Sequence, residues 1–405
     1  VQMNRYILLG CAAFNSILLV NYLLWYLGLP LIASWLCVPS ILICFIFLSF
    51  CVVRFQPSLW PIPVFLLVLF LVSLSTPAVA WDARSIWLFH AKRIFMDGNL
   101  FAQLDDYARW SHNDYPVIIP ALSASMANLL GFWNEIFPKT ANLFFLVVPL
   151  YLVGSVLRHL ISIILYILTL IYVCSHYLHN GFVDANVAII MSSVILITFK
   201  LPDSEHWQNN IIFFILATSL SILCLAKNEG IVLFAIFTVL LFMYKNRFSL
   251  SSVKKFLLFV SIPILFVFSW KLQCLLYGVQ NDLAGSDLMS QIKFRLSNPS
   301  DIILIGNFLF DKFFIFMFLI LILLWIAVDR LGISCRTCAI FGVIFSICYI
   351  FIVYFVYLST PNDLKWHLAT SALRVMMTPS VVIAGVLIYL TGDLLQNSCT
   401  YKKCF

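Results

Sequence analysis

Between Trp81 and Pro120 the sequence WDARSIWLFHAKRIFMDGNLFAQLDDYARWSHNDYPVIIP gathers Asp82, Asp97, Asp105, Asp106 and Asp114 among Arg84, His90, Lys92, Arg93, Arg109 and His112. Aspartates beside cations can do acid–base work: a carboxylate takes the proton of an acceptor hydroxyl, and a nearby cation steadies the charge on a departing group. Asp82 leads, because an apolar run ends just before it. Its carboxylate should lie at a bilayer surface, within reach of a lipid head group from the side and a second substrate from water. A helix N-cap is the plainer account and, for this residue alone, the better one; Trp81 and Arg84 beside it shift the balance slightly toward chemistry. His112-Asn113-Asp114-Tyr115-Pro116 closes the interval. Pro116 explains an extended Tyr115 and a helix start by itself, and His112, Asp114 and Tyr115 are candidate substrate contacts.

Three further places carry charge near apolar runs. Asp184, in Gly181-Phe182-Val183-Asp184, opens one run, and Lys227-Asn228-Glu229-Gly230 separates two others. Ionisable groups at span ends are either functional or satisfied by snorkelling and capping, and the two accounts weigh about evenly. The segment 359–378 combines Asp363, Lys365, Trp366, His367 and Arg374; cations there suit a leaving phosphate, which arginine can hold with two parallel bonds. An interfacial helix with snorkelling cations is the alternative.

The elements that must position these residues are membrane spans. The 405-residue chain is 63% hydrophobic and 10% charged, with a mean hydropathy of +1.04, too few polar side chains to cover a water-soluble globule. Runs near 6–28, 31–53, 62–80, 116–131, 140–157, 160–178, 182–198, 210–226, 230–244, 254–276, 308–328, 338–358 and 379–395 predict an all-α polytopic membrane protein, one domain over 1–405 with about 11–13 transmembrane helices. A net charge of +7 spread over loops excludes a nucleic-acid stripe. Lys245, Arg247, Lys254, Lys255, Arg330, Arg336, Lys402 and Lys403 mark cytoplasmic loops by the positive-inside rule, as do Arg5 and Arg54. Loops 81–115, 278–307 and 359–378 then fall outside. The count contains a conflict: six runs separate loop 81–115 from loop 245–255, where an odd number is required. Either 116–131, which opens on Pro116 and Pro120, does not cross, or the runs around Arg158-His159 are wrongly divided.

Loop 81–115 should begin with a helix lying on the membrane surface. Ala83, Ile86, Trp87, Ala91 and Ile94 share one face and Arg84, Ser85, Lys92 and Arg93 the other, with Leu88 and Phe89 blurring the polar side. Most of the twelve cysteines lie in apolar runs, and Cys335-Arg-Thr-Cys338 is a lone CxxC without a second pair, so a metal role is not favoured. Motifs for nucleotide-phosphate, dinucleotide, zinc-hydrolase and serine-hydrolase chemistry do not occur.

Taken in order, Trp81-Asp82 after an early span, the helical loop ending in Tyr115-Pro116, Asp184 after Gly181-Phe182, the Lys227–Gly230 turn and the late Trp366-His367 resemble the GT-C superfamily of integral-membrane glycosyltransferases. The closest likeness is to the bacterial branch of protein mannosyltransferases and aminoarabinose transferases, over about residues 62–378 as an order of features. The resemblance implies a polyprenyl-phosphate-linked sugar donor, a cell-envelope acceptor (glycan, lipid or protein), and a site on the periplasmic side of a bacterial inner membrane. It makes Asp82 the catalytic base and Asp184 a second catalytic acid. Arg84, His90, Lys92, His112, Asp114, Tyr115, Lys227, Glu229, Trp366, His367 and Arg374 become substrate-binding candidates. A single Asp82 followed by Ala83, in place of two adjacent acids, disfavours a divalent metal, and no other cofactor is implied. A transporter or flippase for a lipid-linked glycan is the rival, and a non-catalytic membrane scaffold a third; a transporter would place ionisable residues mid-membrane between internal repeats.

Overall fold

The computed structural model describes residues 4–102, 104, 109–200, 210–244, 250–279, 288–310, 319–322 and 331–401. Asp105, Asp106, Lys245, Arg247, Arg330, Lys402, Lys403, the side chain of Arg109 and most of the expected 308–328 span lie outside the described residues. Among them all regular structure is helical, and the chain is an all-α polytopic membrane protein.

Three helices open the chain, α1 (Arg5–Tyr26), α2 (Pro30–Phe55) and α3 (Pro57–Ser75). A π-helical turn, Ala83–Trp87, leads into α4 (Leu88–Asp97), and α5 (Ile118–Leu130) follows. Next come α6 (Ala141–Leu157), α7 (Leu160–Cys174), α8 (Asp184–Lys200), α9 (Asn210–Ala226), α10 (Asn228–Tyr244) and α11 (Leu250–Leu276). Short helices α12 (Leu288–Leu296) and α13 (Pro299–Phe310) precede α14 (Ile333–Ser359), α15 (Leu364–Val375) and α16 (Met377–Tyr401). Eight of the described helical stretches are long and apolar enough to cross a membrane. Helices α8, α9 and α10 have 17 residues each, about 25 Å of rise, and run between the same two ends as their longer neighbours.

Every residue of α6 is buried, which places this helix at the centre of the bundle. Around it, α1, α8, α9 and α16 supply much of the rest of the core. The outward faces of α2 and α11 keep Leu31, Ile43, Phe50 and Leu265 exposed, as lipid-facing surfaces do. Midway along the bundle the polar contacts are uncharged: the Asn15 amide donates to Thr218 Oγ1 at 3.2 Å and Ser219 Oγ at 2.9 Å.

Contacts fix the two ends. At one, Phe199 packs on Tyr244 and Phe341, Phe242 packs on Phe256, and Ser334 donates to the Phe199 carbonyl; Lys254, Lys255 and Arg336 lie at this end. At the other lie Asp82, Asp114, Asp184, Lys227 and Arg374. Helix α12, in loop 278–307, is drawn to that end as well, for the Arg295 guanidinium donates to the carbonyls of Thr360 and Asn362, both at 3.0 Å.

The expected 116–131 span is corrected. Asp114, just before α5, binds Asn228, and Lys139, just after it, donates to the Thr76 carbonyl where α3 ends. The chain therefore enters and leaves α5 at the same end. With 13 residues the helix rises about 20 Å, short of the roughly 30 Å hydrocarbon layer, and Gly131 turns it back with φ +76°. Five helices, α6 to α10, then separate loop 81–115 from loop 245–255, and the parity conflict disappears.

Candidate functional site

Asp82 directly precedes the π-helical turn that follows α3, yet its side chain makes no capping bond. It turns instead to Arg374, whose Nη1 donates to its Oδ2 across 292 positions of sequence. The plainer capping account of Asp82 is thus not the one realised. Arg374 arrives on the last turn of α15, a helix started by Asp363 accepting from the Trp366 amide at 2.8 Å. Its guanidinium also lies 5.7 Å from the centre of the Phe182 ring, a cation–π arrangement that holds the charge in place. Loops 81–115 and 359–378, grouped on one face by charge counting, meet in this pair.

Phe182 and Asp184 owe their position to Gly181. Its φ of +85° lies in the left-handed region, and a Cβ there would stand 3.1 Å from Lys139 Cγ. Just beyond, Asp184 begins α8 with 3% exposure. Lys227, in the tight connection between α9 and α10, donates to Asp184 Oδ1 at 2.8 Å and to Glu229 Oε1 at 2.9 Å. Burial alone would lower the lysine's pKa, but Asp184 and then Glu229 outweigh it and hold the value above that of a free lysine. Lys227 is an ammonium at neutral pH. The other oxygen of Asp184, Oδ2, is buried with no hydrogen-bond partner among the described residues.

A third group adjoins these. Asp114 Oδ2 accepts from Asn228 at 2.6 Å and lies 3.9 Å from Lys271 Nζ, while Lys271 donates to Asn228 Oδ1 at 3.0 Å. The Asp114 carbonyl accepts from the Trp270 indole at 2.9 Å. His112 adopts φ +53°, a left-handed conformation uncommon outside glycine, and its ring stacks on Tyr115 at 4.7 Å. Burial lowers its pKa against the opposite pull of Asp114 and Asp82, so the imidazole is neutral at pH 7. The ensemble holds four carboxylates (Asp82, Asp114, Asp184, Glu229) against three cations (Arg374, Lys227, Lys271). Carboxylates outnumber cations by one, so an added phosphate must exchange with a carboxylate.

The remaining candidates bond to other partners. His90 is buried against loop backbone, its Nε2 2.9 Å from the Ser111 carbonyl oxygen. Arg84 pairs with Glu135 at 3.4 Å and, with Lys92, lines a separate cleft. Trp366 is 59% exposed. His367 is half-buried, its Nδ1 2.8 Å from Thr360 Oγ1 and its ring beside Tyr357. Asn228, Lys271 and Phe182 belong to the charged group although the sequence reading did not select them; a lone lysine near the end of the apolar run 254–276 was the available signal. Groups of three or more His, Cys, Asp or Glu side chains placed to hold a metal ion do not occur among the described residues. Comparison with known proteins leaves this geometry to stand by itself: no family model, no curated protein and no solved structure matches the chain.

Proposed function

We propose that the chain is an integral-membrane glycosyltransferase that moves a sugar from a polyprenyl-phosphate-linked donor to a hydroxyl of a cell-envelope glycan, lipid or protein. The site would face away from the cytoplasm, the periplasm in the case of a bacterial inner membrane. The observation that carries this reading is the Asp82–Arg374 pair, a base and a phosphate-binding cation joined at one end of a membrane bundle.

In the reaction, the donor phosphate displaces Asp82 from Arg374, which frees the carboxylate. Asp82 takes the acceptor's hydroxyl proton as that oxygen attacks the anomeric carbon. The bond from the anomeric carbon to the phosphate oxygen breaks, its electron pair stays on the phosphate, and Arg374 with Lys227 balances the added charge. Asp184 and Glu229 act as positioning groups that keep Lys227 charged and fixed, rather than touching substrate. A flippase for a lipid-linked glycan would call for ionisable groups near mid-bundle, where this chain has the uncharged Asn15, Thr218 and Ser219.

Asp82→Asn tests the assignment. Asparagine keeps an oxygen for Arg374 to donate to, so folding and expression should persist, while the base is lost. Turnover of a synthetic polyprenyl-phosphate sugar should fall on the order of 10² to 10⁴-fold. Near-normal turnover would remove Asp82 as the base.

A further inference from the structure

On the helix that begins loop 81–115, Leu88 and Phe89 interrupt an otherwise polar face. They line an open cleft of about 570 Å³ together with Arg84 and Lys92, within the range of about 300–1,000 Å³ of small-ligand sites. One wall is aromatic: the Trp110 ring packs against Trp81 at 5.9 Å and Phe89 at 6.0 Å. Trp81 and Trp110 are more than half exposed. Asp97, Lys92 and the Arg84–Glu135 pair also line the cleft and bring acceptors and donors to it.

We infer that this cleft binds a saccharide and seats the sugar end of a glycan acceptor; its role as an acceptor site, though not the binding itself, rests on the sugar-transfer reading above. A pyranose ring has an apolar C–H face that packs on aromatic rings and a rim of hydroxyls that need both donors and acceptors. The cleft offers that combination. Its cations are largely engaged within the protein: Arg84 pairs with Glu135, and the Arg93 guanidinium donates to the carbonyls of Leu100 at 2.8 Å and Ala102 at 2.6 Å, which leaves Lys92 as the cation best placed for a phosphate and makes glycerol 3-phosphate the competing ligand to test. Trp81 and Trp110 contact one another around a concavity, unlike single interfacial rings anchored among lipid head groups. Trp81 also precedes Asp82 directly in the chain, so this wall and the proposed base are carried by neighbouring residues of one helical segment.

Saturation-transfer NMR on the full chain in lipid nanodiscs, without donor, tests it with neutral methyl hexosides and disaccharides as one set of probes and glycerol 3-phosphate as another. Signal should pass to sugar ring protons, weaken about tenfold in affinity in Trp110→Ala, and persist in Trp110→Phe. Absence of transfer to every sugar, or equal transfer in Trp110→Ala, overturns the saccharide site; binding of glycerol 3-phosphate in place of the sugars makes it a head-group site. The two readings fail separately. Sugar binding without label transfer from a polyprenyl-phosphate donor removes the glycosyltransferase and leaves the cleft, whereas transfer unaffected by Trp110→Ala removes the acceptor assignment and leaves the enzyme.

Discussion

Asp82 and Arg374 are single charges at the edges of apolar segments, and that placement made both legible as candidates before any contact was known. Their pairing was not legible, because 292 intervening positions carry no local signal of which loop meets which. Lys271 and Asn228 escaped for the same reason: their importance lies in Asp114, reached only through the fold. His90 shows the opposite error. A histidine among charges suggested substrate contact, but it is 1% exposed and faces the Ser111 carbonyl. Burial, then Arg93, holds its pKa down from 6.5 to about 4. With the folded value depressed, the unfolded chain takes up this proton first as pH falls. The stability contributed by neutral His90 is therefore complete above pH 6.5 and is lost as pH drops toward 4, by up to about 3 kcal/mol. The apparent melting temperature of the purified protein should fall more steeply between pH 7 and 4.5 than that of His90→Gln, which keeps a donor toward Ser111. Parallel slopes for the two proteins would contradict this.

Among the elements, long apolar runs were readable because spanning a bilayer demands about 20 such residues. The failure at 116–131 has a physical basis, since composition does not say whether a 13-residue helix crosses or turns back; that depends on what its flanks bind. The Lys227–Gly230 turn is another case. Gly230 has no need of unusual backbone angles; what it provides is space, as a Cβ there would collide with the backbone carbonyl of Leu223 on α9. Gly230→Ala should spread the α9–α10 hairpin, cost about 1–3 kcal/mol as other overpacked cores do, and shift Lys227 off Asp184. Sugar transfer should then fall further than the loss of thermal stability accounts for. An unchanged melting temperature and rate in that variant would show that the helices do not approach this closely.

Among the described residues of the whole molecule, charge gathers toward the two ends of an apolar bundle. The contacts of Asp82 with Arg374 and of Arg295 with Thr360 and Asn362 bring the described parts of loops 81–115, 278–307 and 359–378 to one of them. An enzyme acting at one surface has no need of ionisable groups midway, whereas a carrier does, and this difference is the central claim to test. Purified protein in liposomes, given a synthetic polyprenyl-phosphate donor with a radiolabelled sugar and a soluble glycan acceptor outside, measures both activities at once. Label should leave the lipid and appear on the acceptor, in an Asp82-dependent manner, with no movement of intact donor between leaflets. Label that stays on the lipid while the intact donor crosses the bilayer would contradict the account and identify a carrier.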